Sequence, residues 1–238
     1  VTNYSDLADY QKKNKLIKSK KFDLLKKYEL TFEDQLKLFS YCKIKKIKFL
    51  STPFEDKSLE FLKNKIKIIK ISSTDLGNLP FLKKIGKLKK KVYLSTGMSN
   101  TSEINMSIKE LVKGGMKRKD ITILHCTSSY PTNPEDLNLT SIKYLKKKFR
   151  LPIGFSDHSE GLEASVAAVT LGATVVEKHF TLDKKMKGPD HSSSLNFKQL
   201  KKFVKQIRNI EKSIGKFQKK LTKNEKKNKK KLKKSIVA

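Results

Sequence analysis

The 238 residues suffice for one large domain or two small ones, and 37% hydrophobic content can form a core because the apolar residues are clustered. The formal charge of +32 is nearly all lysine, with arginine only at 118, 150 and 208, so it reads as a solvated lysine-rich surface rather than a nucleic-acid footprint. Cys42 and Cys126 lack Cys-x-x-Cys spacing and no apolar run approaches a membrane span, which excludes a zinc ribbon, a disulfide scaffold and a spanning helix, and fits a cytoplasmic setting.

From Asn3 to Lys46 the sequence predicts two lysine-rich helices, the second near Thr31 to Lys45. Six short apolar runs follow: Ile47 to Ser51, Ile66 to Ile71, Val92 to Ser95, Ile121 to His125, Leu151 to Phe155, and Thr174 to Phe180. Each is rich in β-branched or aromatic residues, and successive runs begin roughly 20 to 30 residues apart. Helical periodicity fills the intervals at Ser58 to Lys63, Ser102 to Lys113, Leu139 to Lys148 and Gly161 to Leu171. Strands alternating with helices at this spacing describe repeated βα units around a parallel sheet. A long amphipathic helix is expected from Asn196 to about Gly215, with Leu200, Phe203, Val204, Ile207, Ile210 and Ile214 on one stripe. Residues 1–215 then form the domain, and 216–238, mostly Lys and Asn, form a solvated linker.

Polar residues collect at the C-terminal ends of the six runs, from Ser51-Thr52 to Glu177-Lys178-His179. A barrel enzyme builds its site on that rim, whereas a doubly wound open sheet gathers its ligands at one switch point. Polar groups at every strand end favour an α/β fold of the barrel type. His158 and His179 end consecutive runs and would face one pocket, where two neutral imidazoles suit a divalent metal such as Mn, Fe, Co or Zn. Either histidine alone would read as a hydrogen-bonded core residue. Asp157, Asp190 and Asp75 are the candidate carboxylates. Asp157 can point away from the pocket and hold a neighbouring backbone or imidazole group. Asp190, in Gly188-Pro189-Asp190-His191, can equally be ordinary turn chemistry. His125 and His191 read as core or loop hydrogen-bonding residues. Lys70 with the hydroxyls of Thr52, Ser73, Ser95 and Ser156 suggests an anion pocket. No P-loop, dinucleotide fingerprint or nucleophile elbow is present.

Together these segments resemble the sialic acid synthase family, whose members make N-acetylneuraminate, legionaminate and pseudaminate. The resemblance runs through Ala8-Asp9-Tyr10-Gln11, Phe49-Leu50-Ser51-Thr52-Pro53-Phe54, Lys70-Ile71-Ser72-Ser73 and Leu94-Ser95-Thr96-Gly97-Met98. It continues through Leu124-His125-Cys126-Thr127-Ser128-Ser129-Tyr130-Pro131, Gly154-Phe155-Ser156-Asp157-His158, Glu177-Lys178-His179-Phe180-Thr181, Gly188-Pro189-Asp190-His191 and Ser235-Ile236-Val237-Ala238. The resemblance implies a metal-dependent condensation of phosphoenolpyruvate with an N-acylated amino sugar. His158 and His179 would hold the metal, Mn²⁺ first, with Mg²⁺ or Co²⁺ as alternatives. Lys70, Thr52, Ser73, Ser95 and Ser156 would hold phosphoenolpyruvate, and Tyr130 and Asp190 would contact the sugar. Asp75 stands where some relatives carry glutamate, and Ser128 where some carry asparagine, so their roles stay open.

The resemblance further implies a (β/α)8 TIM barrel lacking here its first two βα units, leaving about six parallel strands. It also implies a C-terminal antifreeze-like domain beyond the linker, and a homodimer in which that domain reaches the partner's site. The truncated chain is expected to be poorly active and poorly soluble on its own. The rival expectations are a 3-deoxy-sugar phosphate synthase of the same chemistry, a lysine-rich nucleic-acid-binding module, and an inactive truncated enzyme.

Overall fold

The computed structural model describes residues 21–188 and 190–234. Ala8 to Gln11, Pro189, Ser235 to Ala238 and the start of the first expected helix lie outside the described residues.

Helix α1 (Lys21–Tyr28) and helix α2 (Phe32–Ile44) precede the sheet. Helix α2 starts where Thr31 caps the N–H of Asp34, and α3 (Asp56–Leu62) starts at a reciprocal Glu55–Ser58 capping box. Four βα steps and a fifth strand follow: β1 (Ile68–Ile71), α4 (Leu79–Lys87), β2 (Lys91–Ser95), α5 (Thr101–Lys113), β3 (Ile121–Cys126), α6 (Ser141–Phe149), β4 (Ile153–Asp157), α7 (Glu163–Thr170) and β5 (Val176–Lys178). Helix α8 (Phe197–Ile214) and helix α9 (Lys223–Leu232) close the described chain.

The sheet is parallel throughout and its spatial order equals its chain order, β1-β2-β3-β4-β5. It forms a curled half-barrel, and the strand register separates two faces. Ile69, Ile71, Val92, Leu94, Ile121, Ile123, Ile153 and Phe155 turn outward and bury against Leu82, Ile85, Ile108, Leu111, Ile142 and Leu145 of the helices. Each such side chain contributes roughly 1.5–3 kcal/mol on leaving water. Lys70, Ser95, Leu124, Cys126, Ser156 and Glu177 alternate with them and turn to the concave face. Helices α4 and α5 pack at glycine: a Cβ on Gly86 would sit 2.2 Å from the Leu111 carbonyl oxygen and 2.9 Å from Gly114 Cα. Helix α8 begins at an Asn196–Gln199 capping box and lays Leu200, Phe203 and Ile207 against Leu162, Val176 and Leu195.

Two sequence expectations change. The run Ile47 to Ser51 is not a strand, so the described sheet has five strands rather than about six. Its residues make no ladder with β1, and only Phe49 packs on the core. A short apolar run becomes a strand only where a neighbour accepts its backbone hydrogen bonds. Helix α4 went unforeseen, because Leu79-Pro80 and Gly86 interrupt its pattern; Pro80 is nevertheless well placed in the first turn. The lysine-rich tail contains helix α9, capped by Thr222 and Glu225, with its described side chains exposed.

Candidate active site

Alternation along β1, β4 and β5 brings Lys70, Ser156 and Glu177 together on the concave face. The Lys70 ammonium, on a residue only 8% exposed, lies 3.4 Å from Glu177 Oε1. Ser156 donates its hydroxyl to the same oxygen at 2.7 Å. One residue beyond each strand, His158 and His179 meet with ring centroids 5.7 Å apart. Tyr130 covers both, stacked at 4.0 Å on His158 and edge-on at 5.5 Å to His179. Asp190 Oδ2 stands 3.9 Å from His179 Nδ1.

The chemistry of the donors fits a divalent cation. Burial holds the His158 pKa below the ordinary imidazole value, which keeps the ring neutral, and the neighbouring His179 ring acts in the same direction. Nδ1 of His158 faces the Thr127 carbonyl at 2.7 Å, so the proton of the neutral ring belongs there. Ser156 lies 3.3 Å from Nε2, but its single proton goes to Glu177, leaving the Nε2 lone pair for a metal. Among the described residues no three His, Cys, Asp or Glu side chains converge to hold an ion. The two imidazoles would therefore share an ion with water or substrate oxygens.

A second group lies at the ends of β1, β2 and β3. The Gly97 N–H donates to Ser73 Oγ at 2.9 Å and to Cys126 Sγ at 3.1 Å. A Cβ on Gly97 would lie 2.3 Å from Ser128 Oγ and 3.0 Å from Ser73 Oγ, so a side chain here would have to push these hydroxyls aside. Cys126 is level with Ser156 across β3 and β4, which joins the two groups on one face. Ser95 is 3% exposed, and its Oγ has no partner among the described residues. Asp75 is also buried with Oδ2 unpartnered, and burial raises its pKa. Thr52 is half-buried before α3, and among the described residues its hydroxyl bonds to none of these groups. A cavity of about 550 Å³ opens between the start of α5 and α6. It shares Cys126, Thr127 and Ser128 with this rim, and neither His158 nor His179 lines it.

His125 and His191 stand where hydrogen bonding, not metal binding, was expected of them. His125 turns outward onto Phe155, with Nε2 2.8 Å from the Leu137 carbonyl oxygen. His191 Nδ1 lies 2.8 Å from the Thr181 hydroxyl. Sequence reasoning passed over Glu177 as a site residue. The signal was available, since it sits two residues before His179 on a strand whose alternate positions share a face.

A parallel sheet curled inside its helices, with a lysine, carboxylates and paired imidazoles at the strand C-termini, defines an enzyme domain of the α/β-barrel class. Within that class the chain belongs to the NeuB family, whose profile matches residues 1–219. It is 46% identical to an N,N'-diacetyllegionaminic acid synthase of Campylobacter jejuni over 239 aligned residues, covering 100% of this chain and 72% of that one. It is 37% identical to the N,N'-diacetyllegionaminic acid synthase of Legionella pneumophila, covering 89% of this chain and 60% of that one. The crystal structure of an N-acetylneuraminic acid synthetase from Leptospira borgpetersenii, in complex with citrate, superposes with a TM-score of 0.81 at 34% identity, covering 90% of this chain and 75% of that one.

Proposed function

We propose that the chain carries the catalytic rim of a nonulosonic acid synthase, which joins phosphoenolpyruvate to an N-acylated hexosamine and releases phosphate. The observation that carries this is the convergence of His158, His179, Tyr130, Ser156, Glu177 and Lys70 on one concave face. Lys70 supplies a buried positive charge, the hydroxyls of Ser73, Ser95 and Thr52 supply donors for the phosphate and carboxylate, and Ser156 lines the same space with its proton held by Glu177. Tyr130, Asp190 and Ser128 border the space left for the sugar, with Asp75 deeper on the rim. In the reaction, C3 of phosphoenolpyruvate bonds to the aldehyde carbon of the open-chain sugar. Water adds at C2, and phosphate departs with the bridging oxygen.

His158 and His179 would hold a divalent cation, Mn²⁺ in this reading with Mg²⁺ or Co²⁺ as substitutes, and when bound it supplies Lewis-acid polarisation of the aldehyde. The neutral His158 needs no deprotonation to take that role. Asp190, 3.9 Å from His179 Nδ1, would help to orient that ring. Residues 1–215 form the synthase domain in this proposal, residues 216–238 lead away from it, and the intact protein is a cytoplasmic homodimer.

The test is phosphate release from phosphoenolpyruvate with Mn²⁺ and N-acetylmannosamine or a diacetylated relative. The expected release requires the sugar, and in His158→Ala and His179→Ala it falls to the level without added metal. Release that is indifferent to both histidines, or none from the intact protein with any acylated hexosamine, overturns the proposal.

A further inference from the structure

Ser156 stands level with Glu177 and Asp157 level with Lys178 where β4 and β5 run side by side. Alternation sends the first pair into the pocket and the second behind the sheet. There the Asp157 side chain is 0% exposed and that of Lys178 4%, with Nζ 2.9 Å from Oδ2. Oδ1 of Asp157 accepts the backbone N–H of Ser159 at 2.9 Å and its hydroxyl at 2.6 Å, while Oδ2 also accepts the hydroxyl of Ser165 on α7. Lys178 Nζ donates in addition to the Ser159 carbonyl at 2.6 Å. One ammonium therefore grips the chain on both sides of His158, from the residue that immediately precedes His179.

Stability alone does not call for such a pair. Two buried charges lose so much hydration that well-packed apolar residues usually hold strands equally well. What the ions add is direction, because only one register satisfies them. A slip of β5 by one residue would bring Lys178 into the pocket and turn His179 behind the sheet. The two imidazoles differ in their other restraints. His158 is also tied to the Thr127 carbonyl, whereas His179, with a side chain 39% exposed, has Asp190 at 3.9 Å.

We propose that Asp157 and Lys178 form a positioning clamp that sets the separation and orientation of the His158 and His179 imidazoles, and through them the affinity of the rim for a divalent cation. The cation part rests on the function proposed above; the positioning part does not. The two residues act through their neighbours and touch no substrate.

The test uses the intact protein and a Lys178→Met/Asp157→Asn double variant, which removes both buried charges and leaves neither uncompensated. Two signals are read: the imidazole ¹⁵N resonances of the metal-free protein, and Mn²⁺ binding followed by the electron paramagnetic resonance of the free ion. The expected double variant is folded. Its His158 and His179 resonances shift or broaden while those of His125 and His191 stay in place, and its Mn²⁺ dissociation constant rises about 10–100-fold. A folded double variant with wild-type imidazole signals overturns the proposal, because the pair then only holds the strands together. If wild-type protein binds no Mn²⁺ while the variant's resonances still move, the clamp stands and the cation reading falls. Should the double variant not fold, Lys178→Arg keeps the charge but displaces it, and the same two signals decide in the same way.

Discussion

Ser95 shows how a single residue can be costly to the fold and useful to a site. A buried hydroxyl without a partner costs stability, and native proteins leave few of them. On the concave face, beside the Ser73–Gly97 cradle, that cost is explained if an anion completes the bond. Ser95→Ala is therefore expected to leave stability unchanged or raise it by up to about 1 kcal/mol, read from the urea midpoint. Phosphoenolpyruvate affinity should fall in the same variant, read by calorimetric titration; a loss of stability with unchanged affinity would make Ser95 structural. At this scale the gathering of His158, His179, Lys70 and Ser156 on one face was legible, because each ends or interrupts an apolar run with a group that such a run does not ordinarily carry. Glu177 and Lys178 were less so. Assigning one to the pocket and the other to the back needs the register of β5 against β4, and no local pattern states a register.

Secondary-structure elements were legible where apolar residues had the right period. The runs at Val92, Ile121 and Leu151 became β2, β3 and β4 because each finds a neighbour on both sides. The run at Ile47 has a similar composition, yet it forms no ladder with the free edge of β1, a difference that its own residues do not state. The amphipathic stripe of α8 was only partly right: Phe203 is buried, while Val204 and Ile214 are largely exposed. Helices α4 and α5 touch through Gly86 and Gly114, two positions that a pattern search treats as helix breakers. Gly86→Ala is expected to destabilise the domain by roughly 1–3 kcal/mol, since the new methyl group meets backbone rather than a side chain that can move. Thermal unfolding of that variant beside a solvent-facing alanine control, Lys83→Ala, measures it; an unchanged midpoint would mean that the two helices can slide apart freely.

Across the whole molecule the strongest physical influence is charge. A net +32 on 238 residues makes the surface repel itself and weakens the compact state. Salt shortens the range of that repulsion, so the unfolding temperature is expected to climb between about 10 mM and about 0.3 M salt, equally with sodium and potassium chloride. A flat or falling response would show that the lysines are locally compensated. The described ion pairs do not suggest this, since half of them join side chains only three or four residues apart in the chain, where an ion pair adds little to stability. Composition displayed this charge from the outset, and the barrel class was legible from the alternation of elements, but the curl of the sheet was not.

Because each strand lies beside the one made just before it, the sheet can grow on the ribosome one edge at a time. Within the described sheet, each of β2 to β5 meets as its neighbour the strand made just before it. The short strand β5 is the last of the described strands in the chain, and it carries Glu177 and Lys178 with His179 next after it. A nascent chain stopped before Val176 would have the anion cradle and a sheet of four strands, yet no second imidazole. If the strands dock in the order in which they are made, synthesis separates the growth of the sheet from the pairing of its two imidazoles.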